Sequence, residues 1–197
     1  MKIVIATGNE HKKDEIKAVL GSKFNVVTMK EEGIYVDIVE DGTTFEENAL
    51  IKARALKEYT EDIILADDSG LAVDTLDGRP GVYSARYAGE NATDDMNNEK
   101  LLSQLKHVPM ENRSAKFVCI MALILPNGEE YLFRGECKGY IDFTLNGQNG
   151  FGYDPLFIVD GFKKTFGELS AEEKNKISHR ALALDKLTEM LMKNEGI

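Results

Sequence analysis

Residues 62–73 read DIILADDSGLAV, and the class of the fold turns on this stretch. Its first five residues, DIILA (62–66), are aliphatic after Asp62 and in part β-branched, the make-up of a buried strand. Toward the start of the chain, KIVIA (2–6) is a similar run, and TGN follows it as a turn. EHKKDEIKAVLGSK then sets Ile16, Val19 and Leu20 at helical spacing, with Gly21 as a stop. FNVVTM (24–29) is a second strand. From Thr43, TTFEENALIKARALKEY predicts a long amphipathic helix, capped by Thr43 or Thr44 with Glu46 or Glu47 in its first turn. With DIILA as the third strand, the first third alternates β-α-β-α-β, the pattern of an α/β protein.

Onward from the same stretch, TDDMNNEKLLSQLK (93–106) predicts a helix. AKFVCIMALIL (115–125) and EEYLFRGECKGYI (129–141) predict two long strands, and the PNG between them is a hairpin signal. SAEEKNK opens with a capping-box pattern, and HRALALDKLTEMLMK closes the chain as an amphipathic helix. No repeat, low-complexity tract or linker divides the 197 residues. The expectation is one domain, 1–197, with two lobes on a long mixed sheet flanked by helices.

Composition narrows the function. A hydrophobic content of 43% and a charged content of 29% are those of an ordinary globular protein. The net charge of −10 argues against general nucleic-acid binding, which needs a basic face. A polyanionic substrate must therefore be met by local Lys, Arg or metal. Two cysteines make no disulfide framework, and Cys119 in FVCIMALIL reads as a core residue. MKIVIATGN has no signal-peptide character, and no run of about 20 apolar residues offers a membrane span. A cytoplasmic protein with no membrane partner is expected.

Five stretches can carry chemistry. In ATGNEHK, a strand, a turn and a helix start aim backbone N–H groups at whatever sits there, which suits phosphate, with Lys12 one turn in. A plain turn with a solvated lysine reads equally from the residues. In EDGTTFEENALIKARA, Asn48 and Lys52 lie four apart and share a helix face, either a surface stripe or the lining of a cleft. Asp67 and Asp68 form an acidic doublet after a buried strand, which is costly unless paired or metal-bound. With Glu40 they make an oxygen-rich set for a hard cation such as Mg²⁺; a turn capped by Asp68 and Ser69 is the alternative. In NGQNGFGYDPLF, glycines flank Phe151 and Tyr153, leaving either a stacking face for a base or an ordinary loop. In LSAEEKNKISHRALAL, Lys174, His179 and Arg180 lie near the junction of two helices.

In this order, TGNEHK, EDGTTFEENALIKA, ADDSGLAVDTLDGRPGVYSARYAG, GFGYDPLF and EEKNKISHR resemble the inosine triphosphate pyrophosphatase family, whose bacterial members are called XTP/dITP diphosphatases. The resemblance runs from residue 3 to about 190 and is least specific over 90–145. Gly167, where the family usually has alanine, is a minor departure. The resemblance implies a two-lobed α/β fold around a long central mixed sheet, an active site in the cleft, a homodimer and Mg²⁺. It implies a purine nucleoside triphosphate substrate (ITP, dITP or XTP) cleaved to monophosphate and pyrophosphate. Thr7, Gly8, Asn9, Glu10, His11 and Lys12 match the triphosphate loop. Glu40 and Asp68 match metal ligands, Asp68 also the general base, and Asp67 is expected to help shape the metal site. Lys52 and Ser69 match substrate contacts. Phe151, Gly152, Tyr153 and Asp154 match the base-binding segment, with Phe151 stacking. Lys174, His179 and Arg180 match recognition of the base and its 6-oxo group. A Maf-like pyrophosphatase acting on other damaged nucleotides and a non-catalytic nucleotide-binding module are the rival readings.

Overall fold

The computed structural model describes residues 1–21 and 24–193; residues 22 and 23, at the end of the first predicted helical stretch, and 194–197 lie outside the described residues. In chain order the elements are β1 (Lys2–Ile5), α1 (Glu10–Leu20), β2 (Asn25–Thr28), α2 (Phe45–Leu56), β3 (Ile63–Val73), α3 (Asp94–Gln104), β4 (Ser114–Ile124), β5 (Glu130–Ile141), β6 (Phe157–Val159), α4 (Ala171–Ile177) and α5 (His179–Lys193). The strands form one six-stranded sheet in the order β2-β1-β3-β4-β5-β6. β1 runs parallel to both β2 and β3, and β5 runs antiparallel to β6. β4 and β5 are neighbours joined by only residues 125–129, a link too short for anything but an antiparallel hairpin. The Gly128 φ of 86° turns that hairpin, as the PNG signal predicts. The sheet is therefore mixed, as expected.

The chain divides into two compact units, Met1–Asp68 with Cys119–Gly135 and Arg180–Ile197, and Ser69–Val118 with Glu136–His179. The first is a three-layer α/β unit. Its chain moves from β1 outward to β2 and then back past β1 to β3. Right-handed crossovers that reverse direction place their helices on opposite faces of a sheet. Accordingly, Ile16 and Leu20 of α1 pack with Ile63 and Leu65 of β3 and with Ala183, Leu184 and Leu187 of α5. Ala49, Ala53 and Leu56 of α2 pack with Ile64 and Ala66 on the other face. The second unit has its own core, in which Phe117 meets Phe157 edge-on with ring centroids 4.7 Å apart.

The caps read from the sequence are present. Thr44 and Glu47 form a reciprocal capping box on α2, and Ser170 and Glu173 form another on α4. The acidic doublet departs from expectation. β3 does not stop at Ala66; it continues through Asp67, Asp68, Ser69 and Gly70 to Val73.

Candidate active site

The reversal of strand order between β2 and β3 makes the carboxyl end of β1 a switch point, where open α/β sheets bind their ligands. The pairing register of β1 with β3 ends at Ile5 opposite Leu65, and Ala6 N–H closes it on the Leu65 carbonyl at 2.8 Å. β3 outruns β1 from there, so Asp67 and Asp68 project just past the end of its neighbour. Successive strand residues face opposite sides of a sheet. Asp67 thus continues the side of Ile63 and Leu65, toward α1 and α5, and Asp68 the side of Ile64 and Ala66, toward α2.

On the first side, Asp67 is 1% exposed and sits among cations. Lys12 Nζ lies 3.1 Å from its Oδ2, and Arg180 Nη2 donates to the same oxygen at 3.0 Å. Arg180 Nη1 donates to Glu15 of α1. Burial pushes the Asp67 carboxyl up, but the charges of Lys12 and Arg180 outweigh it and hold the group far below the usual range. Two expected site residues meet here. Asp67, expected to help shape the metal site, faces the side opposite Asp68, and Lys12, Arg180 and Lys52 all favour its charged form. Arg180, expected at the base, is 1% exposed with one terminal nitrogen on Glu15 and the other on Asp67. A buried guanidinium must be paired, and these acids pair it.

On the second side, one ammonium gathers two carboxylates. Lys52 Nζ donates to Glu40 Oε2 at 2.6 Å and to Asp68 Oδ1 at 3.0 Å. Burial would lower the Lys52 pKa, but Asp68, Asp67 and Glu40 outweigh it and raise it. For Asp68 desolvation wins, and the pKa is raised despite Lys52 and Lys12. Its other oxygen, Oδ2, is buried and without a hydrogen-bond partner. Among the described residues no three His, Cys, Asp or Glu side chains cluster as a ready-made metal site. Glu40 and the uncommitted Asp68 Oδ2 nevertheless are the oxygen donors that a hard cation takes, with water and phosphate oxygens filling the rest.

Asn48, first read as a surface or cleft residue, is 1% exposed and accepts from Gly42 N at 2.9 Å. It ties the loop after Glu40 to α2, one turn before Lys52. Gly42 has no room for a side chain there, since a Cβ would lie 2.6 Å from Asn48 Oδ1. Glu15 is the site-building residue missing from the sequence-based reading, which named Asn48 but gave it no role. A polar side chain amid Ala49, Leu50 and Ile51 was the available signal for Asn48.

The turn after β1 is as expected. Asn9 caps α1 by accepting from Lys12 N at 3.1 Å, and Thr7 Oγ1 accepts from Asn9 N at 3.1 Å. Gly8, Glu10 and His11 are exposed, with Glu10 paired to Lys13.

The second unit holds the remaining expected residues. Lys174 Nζ donates to Asp154 Oδ2 at 2.7 Å and lies 4.8 Å from the centre of the half-buried Phe151 ring. The same Asp154 oxygen accepts from Phe151 N at 2.9 Å, so Asp154 braces the loop rather than facing outward. Tyr153 is a core residue whose hydroxyl donates to the Ser84 carbonyl at 2.8 Å. His179 is buried and stacks on Phe117 with centroids 4.8 Å apart. Ser69, half-buried, follows Asp68 on β3.

Known proteins show the same arrangement of sequence and fold. The dITP/XTP pyrophosphatase of Clostridium perfringens is 47% identical, with 96% of this chain and 97% of the relative covered. That of Caldanaerobacter subterraneus is 55% identical, with 98% and 97% covered. Among solved structures, the Staphylococcus aureus Ham1 protein matches with a TM-score of 0.88 at 42% identity, over 98% of this chain and 99% of that one. A nucleoside-triphosphatase / dITP/XTP pyrophosphatase from Mycobacterium abscessus matches with a TM-score of 0.77 at 46% identity, over 95% and 98%. The sequence model of the Ham1 family matches residues 3–190, and the chain belongs to that family.

Proposed function

We propose that the chain is a Mg²⁺-dependent pyrophosphohydrolase of deaminated purine nucleoside triphosphates, dITP, ITP and XTP. The observation that carries this reading is Lys52, whose buried ammonium holds Glu40 and Asp68 together while Asp68 Oδ2 remains uncommitted. Relatives about half identical, named for dITP and XTP, support the substrate class.

The reaction adds water across the α–β phosphoanhydride: the water oxygen bonds to the α-phosphorus, and the bridging oxygen leaves with pyrophosphate. Asp68 takes the water's proton. A carboxylate within reach of the attacking water can act as its general base. Glu40 and Asp68 would hold Mg²⁺, which supplies positive charge to the phosphate oxygens. Lys12 and Lys52 neutralise the charge that builds on the leaving group, and the α1 start with Thr7, Gly8 and Asn9 offers backbone N–H groups to phosphate. No nucleophilic serine or cysteine is required, and burial pushes the Cys119 thiol up to about 12.

Phe151 offers a face for the base. Lys174 is a donor-only group held by Asp154, and a 6-oxo oxygen is an acceptor that can share it; the adenine amino group is not. Such mismatches reject an analogue by large factors. Homodimerisation and cytoplasmic residence complete the proposal; no helix among the described residues is long and apolar enough to cross a membrane.

The test is a panel of dITP, ITP, XTP, GTP and ATP with Mg²⁺, assaying pyrophosphate separately from orthophosphate. Pyrophosphate from the first three, with ATP slow, is expected, and the GTP rate reads any discrimination at C2 beyond the 6-oxo contact. Orthophosphate instead would overturn attack at the α-phosphorus.

A further inference from the structure

Helix α3 buries two adjacent asparagines, Asn97 and Asn98, at 2% and 3% exposure. Asparagine is a poor helix former, and burying its amide is costly unless the amide is used. Asn97 serves structure: it accepts from Ala88 N at 2.8 Å and donates to the Ala85 carbonyl at 3.1 Å. Asn98 points elsewhere, donating from Nδ2 to the Gly152 carbonyl at 2.9 Å. One turn earlier on the same face, Asp94 Oδ2 accepts from Gly152 N at 2.7 Å. Both backbone polar groups of Gly152 are therefore held by one helix face. Gly152 has a φ of 62°, in the left-handed region, and no side chain to pack, so these bonds take the place of packing in fixing it.

We infer that Asn98, with Asp94, is a positioning residue for base recognition: it pins Gly152 and so fixes the angle at which the neighbouring Phe151 ring is presented. The inference rests on reading Phe151–Asp154 as the base-binding segment. The loop's other braces hold different atoms, Asp154 on Phe151 N and Tyr153 on the Ser84 carbonyl, so neither duplicates the pair on Gly152. A loosened Gly152 leaves the phosphate and metal residues untouched, which lie in the other compact unit. The effect therefore falls on base affinity and selectivity rather than on turnover.

The test is Asn98→Asp, which keeps the shape and replaces the donor by an acceptor facing the Gly152 carbonyl. Loss of one such hydrogen bond, with a donor replaced by an acceptor, is worth up to about 10-fold. The expected result is a KM for dITP raised about 10-fold, kcat within about twofold, a narrowed dITP-to-dATP ratio of kcat/KM, and faster amide hydrogen exchange over 151–154. Asp94→Ala, an exposed change that spares the fold, is expected to act in the same direction. Asp94→Asn keeps an acceptor oxygen and is expected to restore KM. Unchanged exchange and KM in both Asn98→Asp and Asp94→Ala would overturn the inference. So would a fall in kcat alone, by one factor on every nucleotide. If the unaltered chain turned over no dITP, the pyrophosphatase reading and the positioning role would fall together. The exchange measurement would still decide whether Asn98 pins Gly152.

Discussion

Asp67 and Asp68 are neighbours in one strand, equally acidic as free side chains and both buried, yet their surroundings move them in opposite directions. Asp67 is held far below its ordinary pKa by Lys12 and Arg180, and Asp68 is raised by desolvation that Lys52 only partly offsets. The difference arises because adjacent strand residues face opposite sides of the sheet. One side carries α1 and the start of α5, where Asp67 meets two cations, Lys12 and Arg180, and Arg180 is shared with Glu15. The other carries α2, with one cation for two carboxylates. A carboxylate in contact with two cations is held ionised. In the proposed reading, the carboxylate that shares its single cation with Glu40 is the one that serves the chemistry.

The largest effect that would sharpen this contrast is on turnover. Asp68→Asn is expected to lower pyrophosphate release from dITP by about 10³-fold or more, by loss of both base and metal ligand, while the thermal midpoint stays within a few degrees. Near-normal release would break the comparison at once. Asp67→Asn is expected to act on stability, because it leaves Lys12 and Arg180 short of a counter-charge; about 3–5 kcal/mol should be lost in urea unfolding. An Asp68→Asn that unfolds more readily than Asp67→Asn would reverse the assignment.

The pH dependence of stability follows from the same shift. Asp67 is depressed in the folded state, so its contribution is fully present above the unfolded aspartate value of about 3.9. It is lost as pH falls from there toward the folded pKa. Unfolding free energies between about pH 6 and pH 2 should show a steeper acid decline in the unaltered chain than in Asp67→Asn. Parallel declines would deny Asp67 its role as an anion. The smallest effect belongs to the Asp68 side. Asn48→Ala frees the Gly42 N–H and loosens the Glu40 loop, and should cost about 1–2 kcal/mol of stability. It should also raise the Mg²⁺ concentration needed for half-maximal activity, which a metal titration reads directly.

Much of this was legible in the residues. The β-α-β-α-β alternation, the boxes at Thr44/Glu47 and Ser170/Glu173 and the hairpin at PNG all rest on contacts within a few positions. Those follow from local chemistry. The doublet was misjudged in one respect. Two acids in a row argued for a strand end, because continuing the strand buries them without a local partner. The partners come from far along the chain: Lys52 is 16 positions from Asp68, and Arg180 is 113 from Asp67. Asn98, 54 positions from Gly152, was unreadable for the same reason.

The sequence by itself determined which groups exist and which local frames carry them: three parallel strands, their crossover helices, caps, and a stock of acids and lysines in a fixed order. Only the tertiary structure decided which acid meets which cation. That choice depends on how far β3 continues past β1 and on which sheet face each helix covers. Both are settled by burying Ile63 and Leu65 on one side and Ile64 and Ala66 on the other. Once the apolar run fixes the faces, period-two alternation leaves Asp67 and Asp68 no choice of side.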